Sequence, residues 1–532
     1  MTGMMPVLDK PPKRRRRLWI VLGAIALLVL VRFTILAPQD PDIIVGHDTT
    51  WIDAPLSADG TVNYVAWLDQ RYSRGVTAEN NAAGLLIRAL GPEEALDESV
   101  RPAIMKRLAM PPVAADAKFF VSFGHYVKSP AAAEDRSPPG KPASAPASAS
   151  AADEIAWHER LDRALEKPWG AKDDPVIAAW LKSNDEPLEL VIAASRKSRY
   201  YLPLVSTKDP PAMAYVVVPM IGPLQGAAMA LVARSMLKLH ANDVESAWAD
   251  LLAAHRLARL VGQGPTLIDR LISMSVERIA YEGTFGMVRS GKLSAAQARR
   301  CLADLQAINP MPDVVEALDS CERLFMLDIV MLLKRESNVS NVLGLVTSSP
   351  LDWNEMLRAF NRWWDRAIEL YRKPYVERKS GLKQFERELA DLKVPGFGVW
   401  GVVKVIWMRI GGAPYQRILT RIVSDGLLSV LMPGVGGAVT HQESVATYLD
   451  LAKLSLALAA CKGDKGRFPV ALDALKGRYV NEIPADVFSG GPLIYKRTEK
   501  GYLLYSVGEN MKDDGGVEDK DADKDDIAVQ VP

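Results

Sequence analysis

The chain has 532 residues, of which 48% are hydrophobic, with 65 Lys and Arg side chains against 64 Asp and Glu. This composition is typical of folded protein and excludes a chain that is disordered throughout. The formal net charge of +1 gives no support for nucleic-acid binding. With roughly 100–200 residues per domain as a guide, the length leaves room for more than one domain.

The most distinctive segment begins at Leu18 and ends at Ala37, twenty mostly apolar residues that directly follow a basic run from Lys13 to Arg17. As a helix rising about 1.5 Å per residue, it would cover roughly 30 Å, the thickness of a hydrocarbon core. Basic residues stay on the cytoplasmic side, so residues 1–17 are predicted to be a cytoplasmic tail. The sequence therefore predicts a single-pass transmembrane helix over residues 18–37 in the lipid bilayer. The bulk of the chain would lie on the extracytoplasmic (periplasmic) side of the cell membrane.

A cleaved signal peptide is the alternative to this anchor, and it requires small residues at a cleavage site. A cut after Ala37 would leave Pro38 at the first mature position, and Ile35 is too bulky for the small-residue pattern. The uncleaved anchor is therefore favoured. Both interpretations export the bulk of the chain.

Residues 38–56 are rich in Pro and Asp and are interpreted as a spacer, and residues 57–440 as a helical domain. Over residues 60–90 the apolar residues recur at helical spacing, with a second helix expected to be capped by the segment from Thr77 to Asn80. Residues 137–153 are mostly Ser, Pro and Ala and predict a flexible insertion, because such a segment can bury almost nothing.

From Leu224 to about Leu392 the pattern is almost wholly helical, with capping-box spacing at Asn242 with Glu245 and at Ser294 with Gln297. An Ala-rich helical pair is similar to a tetratricopeptide repeat, but no 34-residue period follows, so we expect an irregular helical array. Such an array could offer a groove to a peptide, although helices that only pack on each other are the simpler interpretation.

The apolar run at residues 426–439 is broken by Pro433 and is interpreted as buried, which leaves one membrane span.

The pattern changes from Gln442 onwards. An apolar helix is followed by Gly466-Arg467-Phe468-Pro469, and a hairpin is predicted to pair residues 493–498 with residues 502–507. An acidic loop then starts at Gly508, and residues 527–531 could add a third strand.

This order of motifs, including "IP.D.FSG.PL.Y" and "GYLLYSVGEN", resembles the C-terminal half of type II secretion major pseudopilins. It is also similar to a group of uncharacterised anchored bacterial envelope proteins with the same ending. The match covers roughly residues 442–531, under a fifth of the chain. The resemblance implies a long helix packed on a three-stranded antiparallel sheet, a domain placed at residues 441–532. The expected fold class is thus mainly α with a small α+β C-terminal domain.

The resemblance also implies calcium binding in the loop, through acidic side chains and backbone carbonyls. The residues assigned to calcium, with Val507 offering its carbonyl, are Val507, Asn510, Asp514, Asp523, Asp525 and Asp526. The chain departs from the family in three ways: Asn510 replaces a carboxylate, the loop is longer, and the helix lacks the prepilin-peptidase signature. The last departure argues against polymerisation into a pilus.

Without the resemblance, the loop still suits a hard cation, because calcium takes six to eight oxygen ligands and several carboxylates are available. An EF-hand that started at Asp519 is excluded, since Lys524 and Gln530 would stand at positions that require Gly and Glu. A solvated acidic tail is the alternative, as most charge runs are. The apolar residues after Asp526 favour a closed loop.

Motifs for catalysis are missing from the sequence: there is no HExxH, G-x-S-x-G or Walker A pattern. His255 lies on a helix face and is interpreted as a core or groove residue. Arg196, Lys197 and Arg199 with the Tyr200-Tyr201 pair could stack on a sugar or peptide, or pin a helix end to the core, which is favoured. Cys301, Cys321 and Cys461 are interpreted as buried thiols, with a bridge between the first two as the alternative.

These observations predict an anchored, extracytoplasmic interaction or scaffold protein of the bacterial envelope, associated with secretion, that binds another envelope protein. An enzyme is not favoured. The alternative is an envelope-anchored hydrolase that acts on wall or surface polymer.

Overall fold

The computed structural model describes residues 42–114, 116–129, 151–217, 220–335, 351–392, 415–432, 435–519 and 524–532. Within these ranges the chain is mainly helical, with a small antiparallel sheet near the C-terminal end, which confirms the coarse fold class. The predicted tail, the transmembrane helix at residues 18–37 and most of the predicted insertion lie outside the described residues. The last predicted insertion residues, 151–153, open a helix.

The first part of the body consists of short helices around a shared apolar core. They are α1 (Tyr64–Tyr72), α2 (Ala83–Leu90), α3 (Pro92–Ala95), α4 (Arg101–Arg107), α5 (Phe123–Lys128), α6 (Ala151–Glu166), α7 (Pro175–Ser183) and α8 (Asp185–Ser195). The cap expected at Thr77 to Asn80 is wrong, because α2 begins only at Ala83. Thr77 and Asn80 bond to each other instead, with the Thr77 amide donating to Asn80 Oδ1 at 2.8 Å.

The long central helices are α9 (Ile221–His240), α10 (Val244–Val261), α11 (Leu267–Arg289) and α12 (Ala295–Gln306). They approach closely where Gly283 of α11 faces its neighbours: a Cβ there would lie 2.5 Å from Leu251 and 2.7 Å from Val232. The capping box at Ser294 is confirmed. At the start of α10 the expected cap is wrong by one residue, since Asp243, not Asn242, accepts the Ser246 amide.

The chain continues through α13 (Val314–Ala317), a π-helical turn (Leu318–Glu322), α14 (Arg323–Arg335), α15 (Trp353–Tyr371), α16 (Tyr375–Asp391), α17 (Tyr415–Leu431) and α18 (Val435–Lys465). By length and composition alone, one helical stretch in the described ranges could cross a membrane, Gln416–Lys465, and 47% of its most apolar window is buried in the fold. The run at residues 426–439, which the sequence predicts to be buried, lies inside this stretch, and its residues Leu428 and Val439 are buried.

The helix of the C-terminal region belongs to the helical body, because α18 packs on α11 and α12. Tyr448 of α18 stacks on Tyr281 of α11 with ring centroids 4.5 Å apart. The domain boundary expected between residues 440 and 441 falls inside α18. The sheet and the long helix therefore share one core with the central helices.

The predicted hairpin and third strand are confirmed as a sheet of order β1-β2-β5, with all pairs antiparallel. Its strands are β1 (Ile494–Arg497), β2 (Tyr502–Ser506) and β5 (Ile527–Val531), and the acidic loop carries a separate pair, β3 (Glu518–Asp519) and β4 (Lys524–Asp525). Alternate residues such as Tyr502, Leu504 and Val529 are fully buried, as period-2 strands with one covered face require.

Candidate functional site

The acidic loop leaves the sheet after β2 and returns to it at β5, so strand pairing fixes both of its ends. Gly508 turns the chain out of the sheet with a φ of 61°, and a Cβ there would lie 2.1 Å from the Asp525 carbonyl oxygen. Only glycine tolerates both the left-handed backbone and the close approach. In its described part the loop is therefore closed against the sheet rather than a solvated tail.

Four of the six residues assigned to calcium form one hydrogen-bonded network. The Asn510 amide donates to Asp525 Oδ2 at 2.9 Å, and Asn510 Nδ2 donates to Asp514 Oδ2 at 2.8 Å. The Asp514 amide donates to Asp526 Oδ2 at 3.0 Å. Val507 bonds elsewhere, since its amide donates to Asp486 Oδ2 at 3.2 Å, and Asp523 lies outside the described residues.

Asp526 is the buried centre of this network, with none of its surface exposed. Its Oδ2 accepts two backbone amides, from Asp514 at 3.0 Å and from Gly516 at 2.7 Å. Its Oδ1 is also buried and has no hydrogen-bond partner among the described residues. A buried carboxylate oxygen without a partner is costly, so this atom is a candidate to bind a cation or a proton.

The electrostatics of the loop point in the same direction. Burial raises the pKa of Asp526, and the negative charges of Asp514 and Asp513 raise it further. The hydroxyl of Tyr505 donates to Asp513 Oδ1 at 2.8 Å, and this hydrogen bond holds the pKa of Asp513 below its ordinary value. Asp513 is thus stabilised as an anion, whereas the anionic form of Asp526 is destabilised. A nearby cation would stabilise the anionic form of Asp526.

Asp486, the acid of the "IP.D.FSG" motif, was assigned no role from the sequence, although it organises the start of the loop. Its Oδ1 accepts the Ser506 hydroxyl at 2.6 Å and the Phe488 amide at 3.0 Å. Its Oδ2 accepts the Ser489 hydroxyl at 2.8 Å as well as the Val507 amide. An Asp followed by Ser489-Gly490-Gly491 is a turn signal that could have identified this residue, because Asp side chains accept the amide two residues further along the chain.

Helix α16 of the helical body holds the loop from the other side. Lys379 Nζ donates to the carbonyl oxygens of Glu509 at 2.6 Å and Asn510 at 3.1 Å, and the Tyr375 hydroxyl donates to the Glu509 carbonyl at 2.9 Å. A cavity of about 480 Å³ separates α16 from the rest of the loop and is also lined by Asp525. The candidate site therefore lies where the C-terminal region meets the helical body.

Within the described ranges, no three His, Cys, Asp or Glu side chains converge on a point that could hold a metal ion. The residues nevertheless fit a hard cation in donor chemistry, because carboxylate and carbonyl oxygens are the ligands that calcium prefers. The unpartnered Oδ1 of Asp526 is the specific atom in the described loop that a cation would satisfy.

A second group of titratable side chains meets inside the helical body. The ring of His255 bonds to Glu277 Oε1 at 2.9 Å and to Thr284 Oγ1 at 3.0 Å, and Arg259 pairs with the other oxygen of Glu277. Burial acts to raise the pKa of Glu277, but Arg259 and His255 outweigh it and lower that pKa. Because His255 and Glu277 have no exposed surface, they are placed for structure and not for contact with a substrate.

The cluster around Arg196 to Tyr201 divides into two parts. Tyr201 is buried and its hydroxyl donates to Asp69 Oδ1 at 2.7 Å, while Lys197 Nζ donates to the Glu79 carbonyl at 2.7 Å. These contacts pin the segment that follows α8 to α1 and to the loop between α1 and α2. Arg196 and Lys197 also line a cavity. The contacts of Tyr201 and Lys197 agree with the favoured interpretation, a cluster that pins a helix end, whereas stacking on a sugar or peptide stays a prediction. The three cysteines are buried free thiols.

No family model, curated protein or solved structure matches this chain.

Proposed function

We propose that this chain is a single-pass, membrane-anchored interaction or scaffold protein of the bacterial envelope, with its body outside the cytoplasm. Its C-terminal region would be a module like that of type II secretion major pseudopilins, closed by a hard cation such as calcium. The observation that carries the proposal is Asp526, a fully buried carboxylate with one oxygen that has no partner among the described residues.

A cation at this site explains the charge distribution of the loop. Asp526 and Asp514 would hold it with their side chains, and Asp523 and the Val507 carbonyl are the further donors expected from the sequence. The positive charge would offset the repulsion among neighbouring carboxylates that raises the pKa of Asp526.

The position of the loop supports a scaffold role for this cation. Lys379 and Tyr375 of α16 bind carbonyls of the same loop, so a cation that orders the loop also orders its contact with the helical body. A binding surface that spans both parts would then be rigid before a partner arrives, which lowers the entropic cost of association. The helical body would supply most of that surface.

Limited proteolysis of the detergent-extracted full chain tests the cation. We expect calcium to protect the loop and chelator to raise cleavage between residues 507 and 526. Asp526→Asn should remove this response while keeping an oxygen for the two amides. Asp473→Asn is the matched control, since it removes the same charge from an exposed side chain in a 3₁₀ turn. Digestion that is unchanged by calcium would refute the cation-closed loop.

A topology reporter fused after Pro532 tests the location. We expect activity only outside the cytoplasm, because the basic residues before Leu18 should stay inside. Reporter activity in the cytoplasm would overturn the anchored, exported arrangement, whatever the result with calcium.

A further inference from the structure

A second cavity, of about 390 Å³, opens where α8, α10 and α12 end. Four basic side chains line it, Arg196, Lys197, Arg256 and Arg259, against one carboxylate, that of Asp304. The lining therefore carries more positive than negative charge, even though Arg259 is paired with Glu277. We call this the basic cavity.

Arg259 forms the floor of the basic cavity and is only 5% exposed. Its Nη1 is used by Glu277 and by the His255 carbonyl at 3.4 Å, and its Nε donates to the Asn309 carbonyl at 3.3 Å. Its Nη2 makes no hydrogen bond within the described ranges. Arg259 therefore lines the cavity with a guanidinium that is held on two nitrogens and has no hydrogen-bond partner for the third within the described ranges.

Arg256 lies one helical turn before Arg259, so the two like charges are neighbours on the same face of α10. Glu277 balances the charge of Arg259, whereas Arg256 has no carboxylate partner among the described residues. Arg196, at the end of α8, is likewise without an ion pair in the part of the chain that the structure describes. An anion in the cavity would offset this repulsion.

The wall that carries Arg196 and Lys197 is fixed in position. Gln263 accepts the Tyr200 amide at 3.1 Å and donates to the Ser198 carbonyl at 3.2 Å. The Lys197 ammonium is held by the Glu79 carbonyl. Lys197 and Arg259 are thus held in place before any ligand binds, which favours recognition of a charged ligand.

We infer that the basic cavity binds a small ligand that carries phosphate or carboxylate groups. Guanidinium groups match both oxyanions with paired hydrogen bonds, and the volume falls in the range of about 300–1,000 Å³ for small-molecule sites. This site goes beyond the scaffold role and does not depend on it.

The competing explanation is that these cations only neutralise the ends of helices, because the C-terminal end of a helix carries roughly half a negative charge. Here α8, α10 and α12 end near the cavity at Ser195, Val261 and Gln306. Within the described residues, however, neither Arg196 nor Arg256 donates a side-chain hydrogen bond to a carbonyl at these ends. The two explanations differ in whether an added oxyanion binds.

Isothermal titration of the calcium-free full chain with inorganic phosphate, pyrophosphate and citrate, at constant ionic strength, tests the inference. We expect saturable binding of at least one of them, weakened about tenfold or more by Arg256→Gln and also by Arg196→Gln. Binding of phosphate and pyrophosphate alone identifies a phosphorylated ligand, and binding of citrate alone a carboxylate.

Arg362→Gln is the matched control, since it removes the same charge from an exposed arginine of α15 that pairs with Glu355. Unfolding temperatures of all variants check that each folds. No saturable binding of any probe, or an equal loss with Arg362→Gln, would overturn the inference and leave the helix-end explanation.

Discussion

Glu277 in the helical body and Asp526 in the C-terminal loop are both carboxylates with no exposed surface, but their charges are balanced in different ways. Glu277 has a cationic partner in Arg259 and a second partner in His255, so all of its compensation comes from side chains. Asp526 has two backbone amides on one oxygen and no partner among the described residues on the other.

The pKa shifts reflect this difference, because the pKa of Glu277 is lowered in spite of burial and that of Asp526 is raised by it. A buried acid whose pKa is lowered has enough partners within the protein to be stable as an anion. One whose pKa is raised gains from a proton or a metal ion. The comparison therefore separates a structural carboxylate from a candidate ligand, and the following experiments test that separation.

The largest effect should come from Glu277→Gln, which leaves the buried Arg259 without its anion. We expect a loss of about 3–5 kcal/mol in the free energy of unfolding, the usual result of breaking a buried ion pair from one side. Chemical denaturation of the full chain measures it. Glu355→Gln, in an exposed pair with Arg362, should cost about 1 kcal/mol or less. Similar losses for the two variants would show that Glu277 is not a structural anion.

A third buried carboxylate sharpens the comparison, since among the described residues Asp328 accepts a hydrogen bond only from the Met213 amide, at 2.6 Å. Burial raises its pKa from 3.8 to about 6. When folding raises the pKa of an acid, the protein loses stability as the pH rises from 3.8 through 6. The loss for Asp328 amounts to about 3 kcal/mol at pH 7. Asp328→Asn should therefore stabilise the protein by up to about 3 kcal/mol at pH 7.

The gain from Asp328→Asn should shrink to under about 1 kcal/mol at pH 4, where the native carboxyl is already protonated. Unfolding midpoints of the wild-type chain and the variant at both pH values give the answer. A gain that stayed constant between pH 7 and pH 4 would contradict the raised pKa.

Calcium should distinguish Asp526 from the other buried acids. At one hundred times its dissociation constant, a ligand of the native state stabilises a protein by about 2.7 kcal/mol. We expect a gain of this order for the C-terminal region, complete loss of the gain in Asp526→Asn, and an unchanged gain in Asp328→Asn. Differential scanning calorimetry with and without calcium measures all three. If Asp526→Asn kept the gain, the ligand site would lie elsewhere.

The smallest effect should come from Lys379→Met, which removes the ammonium from the carbonyls of Glu509 and Asn510. A loss of about 1 kcal/mol corresponds to roughly fivefold faster hydrogen exchange of the amides at residues 508–511. Lys383→Met, on the same helix and in the same cavity, is the control and should leave exchange unchanged. Equal exchange in both variants would show that α16 does not stabilise the loop.

Local patterns explain how much of the fold could be predicted. The capping box at Ser294 and the three strands of the sheet agree with the sequence, because each depends on residues close to each other in the chain. The errors at Thr77 and Asn242 are also local, because a residue of the right type stood near a helix start in both places. The helix α10 is capped by the next residue, Asp243, and α2 begins after Ala82 without a side-chain cap. The pairing of β3 with β4 could not be predicted, because a strand of two residues shows no periodic pattern.

The sequence by itself determined the helical spacing of the body, the alternation of the strands and the acidic character of the loop, since these depend on residue types at fixed intervals. Only the tertiary structure decided which charges meet. Glu277 finds Arg259 from the neighbouring helix, Lys379 reaches Glu509 across 130 residues, and Asp526 is enclosed by amides of its own loop. Such contacts depend on how helices and strands pack, and packing at long range leaves no periodic signal in the chain.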